Sequence, residues 1–156
     1  MTKEELTAYV GGHFDGKLKL LDTGRYDPMF EIQPGDLLDV ARALRDDSRL
    51  QFDYLCSMGG VDTGEHLEVV YSIASSKTKS RLDFKFSLPY DKAEIDSIQE
   101  VWPGINWYER EAWELYGINV RNHGNLKRFL LPDDWDQGHP MLKNWDAPDF
   151  IRMPER

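Results

Sequence analysis

Cysteine is nearly absent from this 156-residue chain, where Cys56 stands alone. One thiol excludes an intrachain disulfide. It also excludes an iron–sulfur cluster held by this chain alone, which takes about four thiolates. A reducing compartment fits that usage. Apolar runs are short, and none approaches the ~20 residues that cross a bilayer. The start, Met1-Thr2-Lys3-Glu4-Glu5-Leu6, carries two glutamates and lacks the apolar stretch of a signal peptide. Positive charge is scarce too: 19 Lys and Arg face 28 Asp and Glu, for a net charge of −9. Nonspecific nucleic-acid binding and direct attachment to an anionic membrane both need a basic face, so both are excluded. Neither G-x-G-x-x-G nor G-x-x-x-x-G-K-[ST] occurs, and H-E-x-x-H and C-x-x-C are missing, which removes the standard nucleotide loops and the simplest zinc motifs.

What is present suffices for a core, at 40% hydrophobic and 12% aromatic residues. Thr2 reads as the N-cap of a short helix over 3–13, with Leu6, Tyr9 and Val10 on one face. Lys17–Leu21 and Met29–Ile32 read as strands around a turn at Tyr26-Asp27-Pro28. Pro34-Gly35-Asp36 opens an amphipathic helix over 36–46, marked by Leu37, Leu38, Ala41 and Leu44 at helical spacing. Three strands follow, over Gln51–Ser57, Leu67–Ser75 and Arg81–Leu88. The last alternates Leu82, Phe84, Phe86 and Leu88 with Arg81, Asp83, Lys85 and Ser87, one core face against one wet face. Gly59-Gly60 reads as the turn after the first of them, since no helix start follows to make a phosphate cradle. Helices are expected over Ala93–Val101, with Ile95, Ile98 and Val101 or Trp102 inward, and over 105–116, ended by Gly117.

The order α-β-β-α-β-β-β-α-α predicts an α+β domain over residues 1–117, a mostly antiparallel sheet covered by helices on one face. Residues 118–156 follow as an extended C-terminal arm. From Gly117 onward six basic and six acidic residues cancel, so the whole negative charge belongs to the domain. Pro132, Pro140, Pro148 and Pro154 space Trp135, Trp145 and Phe150 along the arm. A disordered tail would be poor in aromatics, so the arm is read as ordering against a surface.

The chemistry concentrates between Trp107 and Lys143. On a helix Arg110 and Glu114 share a face, so an ion pair is expected. Glu109 and Glu111 point to different sides, which argues against paired-carboxylate catalysis. His123 and His139 would need donors such as Asp133, Asp134 or Asp136 to hold a metal, whereas hydrogen bonds to backbone or carboxylate ask for nothing further. Trp107, Trp113 and Tyr116 suit a core, while five tryptophans within 102–145, with Arg121, Lys127 and Arg128 nearby, suit an interface. From the residues alone, two readings stay open. One is an interaction or structural subunit; the other is a free-standing acid–base enzyme using Glu109, Glu111, His123 and His139.

Glu109-Arg110-Glu111, Glu114-Leu115-Tyr116-Gly117-Ile118, His123, Leu126-Lys127-Arg128 and Leu130 together resemble the signature of the C subunit of NADH:quinone oxidoreductase, respiratory complex I. Leu131-Pro132-Asp133-Asp134-Trp135 and Gly138-His139-Pro140 are similar to that family's next block, so the resemblance spans about residues 25–145. Departures fall at Gly124, Phe129, Gln137 and Asn144. Similar subunits occur in complex-I-related nickel–iron hydrogenases and other quinone reductases. The resemblance implies a cofactor-free structural and assembly subunit of a proton-translocating complex. Iron–sulfur clusters, FMN and quinone would then sit in partner subunits. The implied partners are the large quinone-site D subunit and the B and I subunits, and the implied location is peripheral, on the cytoplasmic side of the inner membrane. Interface or structural roles, with no catalytic or metal-binding residue, are implied for Glu109, Arg110, Glu111, Glu114, Tyr116, Gly117, His123, Lys127, Arg128, Asp134, Trp135, His139 and Pro140.

Overall fold

The computed structural model describes residues 1–14, 16–147, 149 and 151. Pro148, Phe150 and Pro154 of the expected arm lie outside the described residues. Helix α1 (Lys3–His13) begins at a full capping box: the Glu5 amide donates to Thr2 Oγ1 and the Thr2 amide to Glu5 Oε2. Leu6 and Val10 on its inner face are buried. Strand β1 (Lys19–Leu21) pairs antiparallel with β2 (Met29–Glu31), and helix α2 (Leu37–Asp46) then buries Leu37, Val40, Ala41 and Leu44.

Strands β3 (Tyr54–Asp62), β4 (Leu67–Ala74) and β5 (Arg81–Leu88) form an antiparallel meander. The five-stranded sheet has the order β1-β2-β5-β4-β3, and β2 joins β5 in parallel. The architecture is α+β with a mostly antiparallel sheet. Leu67, Val69, Tyr71 and Ile73 of β4 and Leu82, Phe84, Phe86 and Leu88 of β5 face the core, as their alternation requires. Tyr71 stacks on its register partner Phe84, with ring centroids 4.8 Å apart. The opposite face carries ion pairs, among them Lys85–Glu68 at 2.7 Å and Arg25–Asp83 at 3.1 Å. Asp83, expected on the wet face, is buried beneath Arg25.

Three expectations are corrected. Strand β3 does not turn at Gly59-Gly60 but runs through both glycines, and the turn lies beyond, where the Thr63 amide donates to the His66 carbonyl. Gly60 is needed inside the strand because the Tyr116 ring lies against it; a Cβ there would sit 2.8 Å from Tyr116 Cδ2. Residues 93–101 are not a helix. Strand β6 (Glu94–Asp96) pairs in parallel with β7 (Asn119–Arg121), and a turn at Ile98–Trp102 follows β6. Ile95, Ile98, Val101 and Trp102 are all buried as expected, so the apolar spacing was real while its helical meaning was not. A distant strand partner decides between the two. Finally, the chain continues past Gly117 as part of the fold, with Ile118 and Val120 in the core and β7 closing the small sheet.

Helix α3 (Asn106–Tyr116) connects β6 to β7 and packs on β3. Gly117 ends it at φ 75°, with its amide bonded to the Trp113 carbonyl and the Ile118 amide to that of Ala112. Gly60→Val should force the Tyr116 ring off β3 and cost about 1–3 kcal/mol. Urea unfolding of the purified variant measures it, and an unchanged midpoint would contradict the close approach.

Candidate docking site

Three charged residues of α3, Glu109, Arg110 and Glu114, are buried, and each holds a different piece of chain. Arg110 lies over both the Trp107 and Phe129 rings, 4.8 and 4.9 Å from their centroids, and the two rings meet edge to face 5.0 Å apart. Its Nε donates to the Lys127 carbonyl at 2.7 Å and its Nη2 to the Arg128 carbonyl at 3.1 Å. Glu114, one turn on, accepts from the next three amides: Phe129 at 3.4 Å, Leu130 at 3.1 Å and Leu131 at 3.1 Å. The expected Arg110–Glu114 ion pair does not form. The i, i+4 spacing brings both groups to one face, and there each satisfies main chain instead of the other.

The same segment then caps the helix. The last carbonyls of α3 lack partners within the helix. His139 Nδ1 donates to the Glu114 carbonyl at 2.9 Å, and the Met141 amide donates to that of Leu115 at 3.1 Å. The His139 ring lies over Gly117, where a Cβ would be 2.7 Å from Cδ2 and Nε2. Gly117 therefore serves twice, once for its left-handed backbone and once for the missing side chain. Between these contacts the segment closes on itself. Trp135 Nε1 donates to the Gly138 carbonyl and Trp145 Nε1 to that of Gln137, with the two indoles 6.1 Å apart. Arg128 reaches the Asp133 carbonyl at 3.2 Å and passes over the Trp113 ring. Pro140 is half-buried and Asp134 is exposed.

Glu109 faces the other way, into the core. It is fully buried and accepts from Ser97 Oγ at 2.7 Å and the Ile98 amide at 2.8 Å. His123 joins it with Nε2 3.7 Å from Glu109 Oε2. The imidazole Nδ1 accepts the Asn125 amide at 3.1 Å, so the neutral ring carries its proton on Nε2, directed at the Asn106 carbonyl and Glu109. Burial pushes the Glu109 carboxyl up to about 7, against the pull of the Ile98 and Ser97 hydrogen bonds. Burial lowers the His123 pKa. The Tyr71 hydroxyl, also buried, has no hydrogen-bond partner among the described residues.

The four residues of the acid–base reading are not brought together. Glu109 and His123 meet in the core, Glu111 is half-exposed beside Tyr116, and His139 is committed to the end of α3. Burial, followed by the charge of Glu111, raises the Tyr116 pKa. Among the described residues no group of three or more His, Cys, Asp or Glu is placed to hold a metal ion.

Asp62 is the residue that sequence reasoning missed. It sits at the end of β3 and accepts from the Lys143 amide at 2.7 Å, the Gly64 amide at 2.8 Å and the Tyr90 hydroxyl. Those bonds, that of Tyr90 first, hold its carboxyl below the usual range. Asp-Thr-Gly signals the bond to Gly64 as a local turn. Nothing in the sequence signals a contact to Lys143, 81 residues away.

Residues 30–150 match the family model described as Respiratory-chain NADH dehydrogenase, 30 Kd subunit. The chain belongs to that family. The NADH-quinone oxidoreductase C subunit of Roseiflexus sp. (strain RS-1) is 37% identical over 77% of the chain and 70% of its own length. Its counterpart in Chloroherpeton thalassium is 38% identical over 86% of the chain but only 58% of its own length. The F(420)H(2) dehydrogenase C subunit of Methanosarcina mazei is 48% identical over 63% of each. The chain thus spans 58–70% of these relatives. The fold recurs in a membrane-bound sulfane sulfur reductase, an archaeal respiratory membrane complex, with a TM-score of 0.72 at 18% identity over 84% of this chain and 77% of that one. It recurs again in the trypsin-resistant fragment (1-134) of Nqo5, with a TM-score of 0.62 at 20% identity over 79% of this chain and 95% of that one. The family match contains all of α3 and the segment it grips.

A raised carboxyl in the folded state ties stability to pH. The protonated form is favoured by folding, so the Glu109 contribution is complete below its unfolded value of 4.5 and is lost as pH rises through about 7. The loss amounts to ~3 kcal/mol at most. His123 acts in the opposite sense, its contribution present above its ordinary 6.5 and lost as pH falls through its lowered folded value. Glu109→Gln should therefore remove the decline in unfolding free energy between pH 4.5 and 7. Denaturant titrations across that range check it, and an unaltered slope would show that Glu109 is not its source.

Proposed function

We propose that this chain is a cofactor-free structural and assembly subunit of a proton-translocating quinone oxidoreductase of the NADH dehydrogenase type. One observation carries the reading. The domain holds the segment after β7 by its main chain, through Arg110, Glu114, Asp62 and the end of α3. Leu130 and Met141 of the segment thereby keep their side chains open to another surface. Trp107, Leu130 and Met141 are 56%, 53% and 51% exposed, large apolar side chains open to a partner along α3 and the segment it holds. Arg128, lying over the Trp113 ring, supplies a planar group of the kind common at interfaces.

Family membership supports the large quinone-site D subunit as main partner, with the B and I subunits adjacent. Iron–sulfur clusters, FMN and quinone would belong to those neighbours, and the isolated chain would be inactive. No helix among the described residues is long and apolar enough to cross a membrane. Attachment on the cytoplasmic side through other subunits agrees with that. A stable interface of this type buries more than ~2,000 Å². The relative from Methanosarcina mazei favours a second reading, in which the electron donor is a reduced deazaflavin such as F420H2 and not NADH.

A tagged chain purified from native membranes should carry iron–sulfur subunits with it, and the donor oxidised by that preparation separates the two readings. Leu130→Ser with Met141→Ser should leave the isolated fold intact, yet lower incorporation into the complex at least tenfold, since lost apolar anchors act mainly on dissociation. Full incorporation of the double variant, or recovery of the chain as an active soluble enzyme, would defeat the proposal.

A further inference from the structure

We propose that Asp62 is the latch that presets the far half of the C-terminal segment, so that the subunit meets its neighbour with the docking surface already built. The inference rests on the docking reading above and adds to it a positioning residue and an order of events.

Four tethers run along the segment in sequence. Arg110 holds the carbonyls at Lys127 and Arg128, and Glu114 the amides at Phe129, Leu130 and Leu131. The α3 terminus holds His139 and Met141. Asp62 holds the Lys143 amide. The first three all come from α3, at one end of the segment's path. Asp62 comes from the sheet, so it ties the segment across to the β3–β4 hairpin. Leu142 packs against the core and Trp145 against Trp135, and the Asp62 bond fixes the main chain between them.

Asp62 is built for that use. It is buried, and both oxygens are occupied: Oδ2 takes Lys143, while Oδ1 takes Gly64 and Tyr90. Gly64 sits at φ 90°, with the Lys143 side chain 3.9 Å from where its Cβ would be. A carboxylate offers enough lone pairs to bind all three donors. Asparagine has a single carbonyl oxygen and must abandon one side. The Asp62 grip is to main chain, so the latch constrains the path while leaving the exposed Met141 side chain free.

Hydrogen–deuterium exchange of the full chain, free of other subunits, tests the latch. The Met141 and Lys143 amides should exchange at least about 100-fold more slowly than unstructured peptide, as closed tertiary contacts do. Asp62→Asn should accelerate exchange over residues 139–145 by about tenfold or more, leaving 129–131 unchanged. Tyr90→Phe, which removes one donor but keeps Asp62, should leave Lys143 protected. Unprotected residues 139–145 in the unaltered chain would overturn the proposal. So would an Asp62→Asn effect spread equally over α3 and β3–β5, which would make Asp62 a general stabiliser. Protection as stated in a chain that fails to co-purify with other subunits would remove the docking reading and leave the latch standing.

Discussion

A chain segment with neither helix nor sheet still has amides and carbonyls to satisfy, and here Arg110 and Glu114 satisfy them for residues 127–131. The two side chains are one helical turn apart and the segment runs across both. A cation takes the two carbonyls and an anion takes the three amides that follow. Each is buried, so neither retains water to fall back on. The contact is therefore all or nothing: remove one side and charged or polar groups are stranded at a cost of several kcal/mol. The placing of Trp107, Phe129, Leu130 and His139 depends on this grip.

Glu109 performs a related task without a cation. It binds the turn after β6 through Ser97 and Ile98 and meets the His123 ring just beyond β7. Helix α3 thus organises the chain on both sides of itself, the preceding turn through Glu109 and the following segment through Arg110 and Glu114. Position in the first turn favours a carboxylate there, since free amides and the helix dipole lie nearby. Burial outweighs that help, which is why the group binds a proton near neutrality.

These arrangements suit a scaffold better than a reaction centre. The buried charged groups of the Trp107–Lys143 region, Glu109, Arg110 and Glu114, are consumed by chain geometry, and each imidazole has a backbone partner. Facing outward are Trp107, Leu130 and Met141, interspersed with the charged Lys127, Asp133, Asp134, Asp136 and Lys143, on a path fixed by main-chain bonds. A preordered surface of this kind binds a neighbour without first losing the entropy of an ordering segment. The extended arm expected from composition is here folded back on its own domain as far as the described residues go.

The local rules were legible in the sequence. Thr2 with Glu5 announced α1, the alternation at 81–88 announced β5, Gly117 announced the end of α3, and the Glu109–Ile118 and His123–Pro140 blocks carried the family. Each depends on neighbours within a few residues, where spacing alone fixes which groups meet. Residues 93–101 were misread because β6 needs β7, more than twenty residues on, to be a strand. Gly59-Gly60 was misread because the pair sits opposite Val70 and Val69 of β4 and Gly60 makes room for the Tyr116 ring, all on other elements. Arg110 and Glu114 were placed correctly on one face, but whether they pair with each other or with main chain depends on where residues 127–131 pass. Asp62 shows the limit most plainly: its carboxylate was visible, yet its bond to Lys143 exists only because the sheet and the end of α3 bring them within 2.7 Å. Spacing along the chain settled α1, α2, β5, the end of α3, most of the buried face and the family. Tertiary structure alone decided which polar group satisfies which stretch of chain, because hydrogen bonds depend on distance in space and not on separation along the chain.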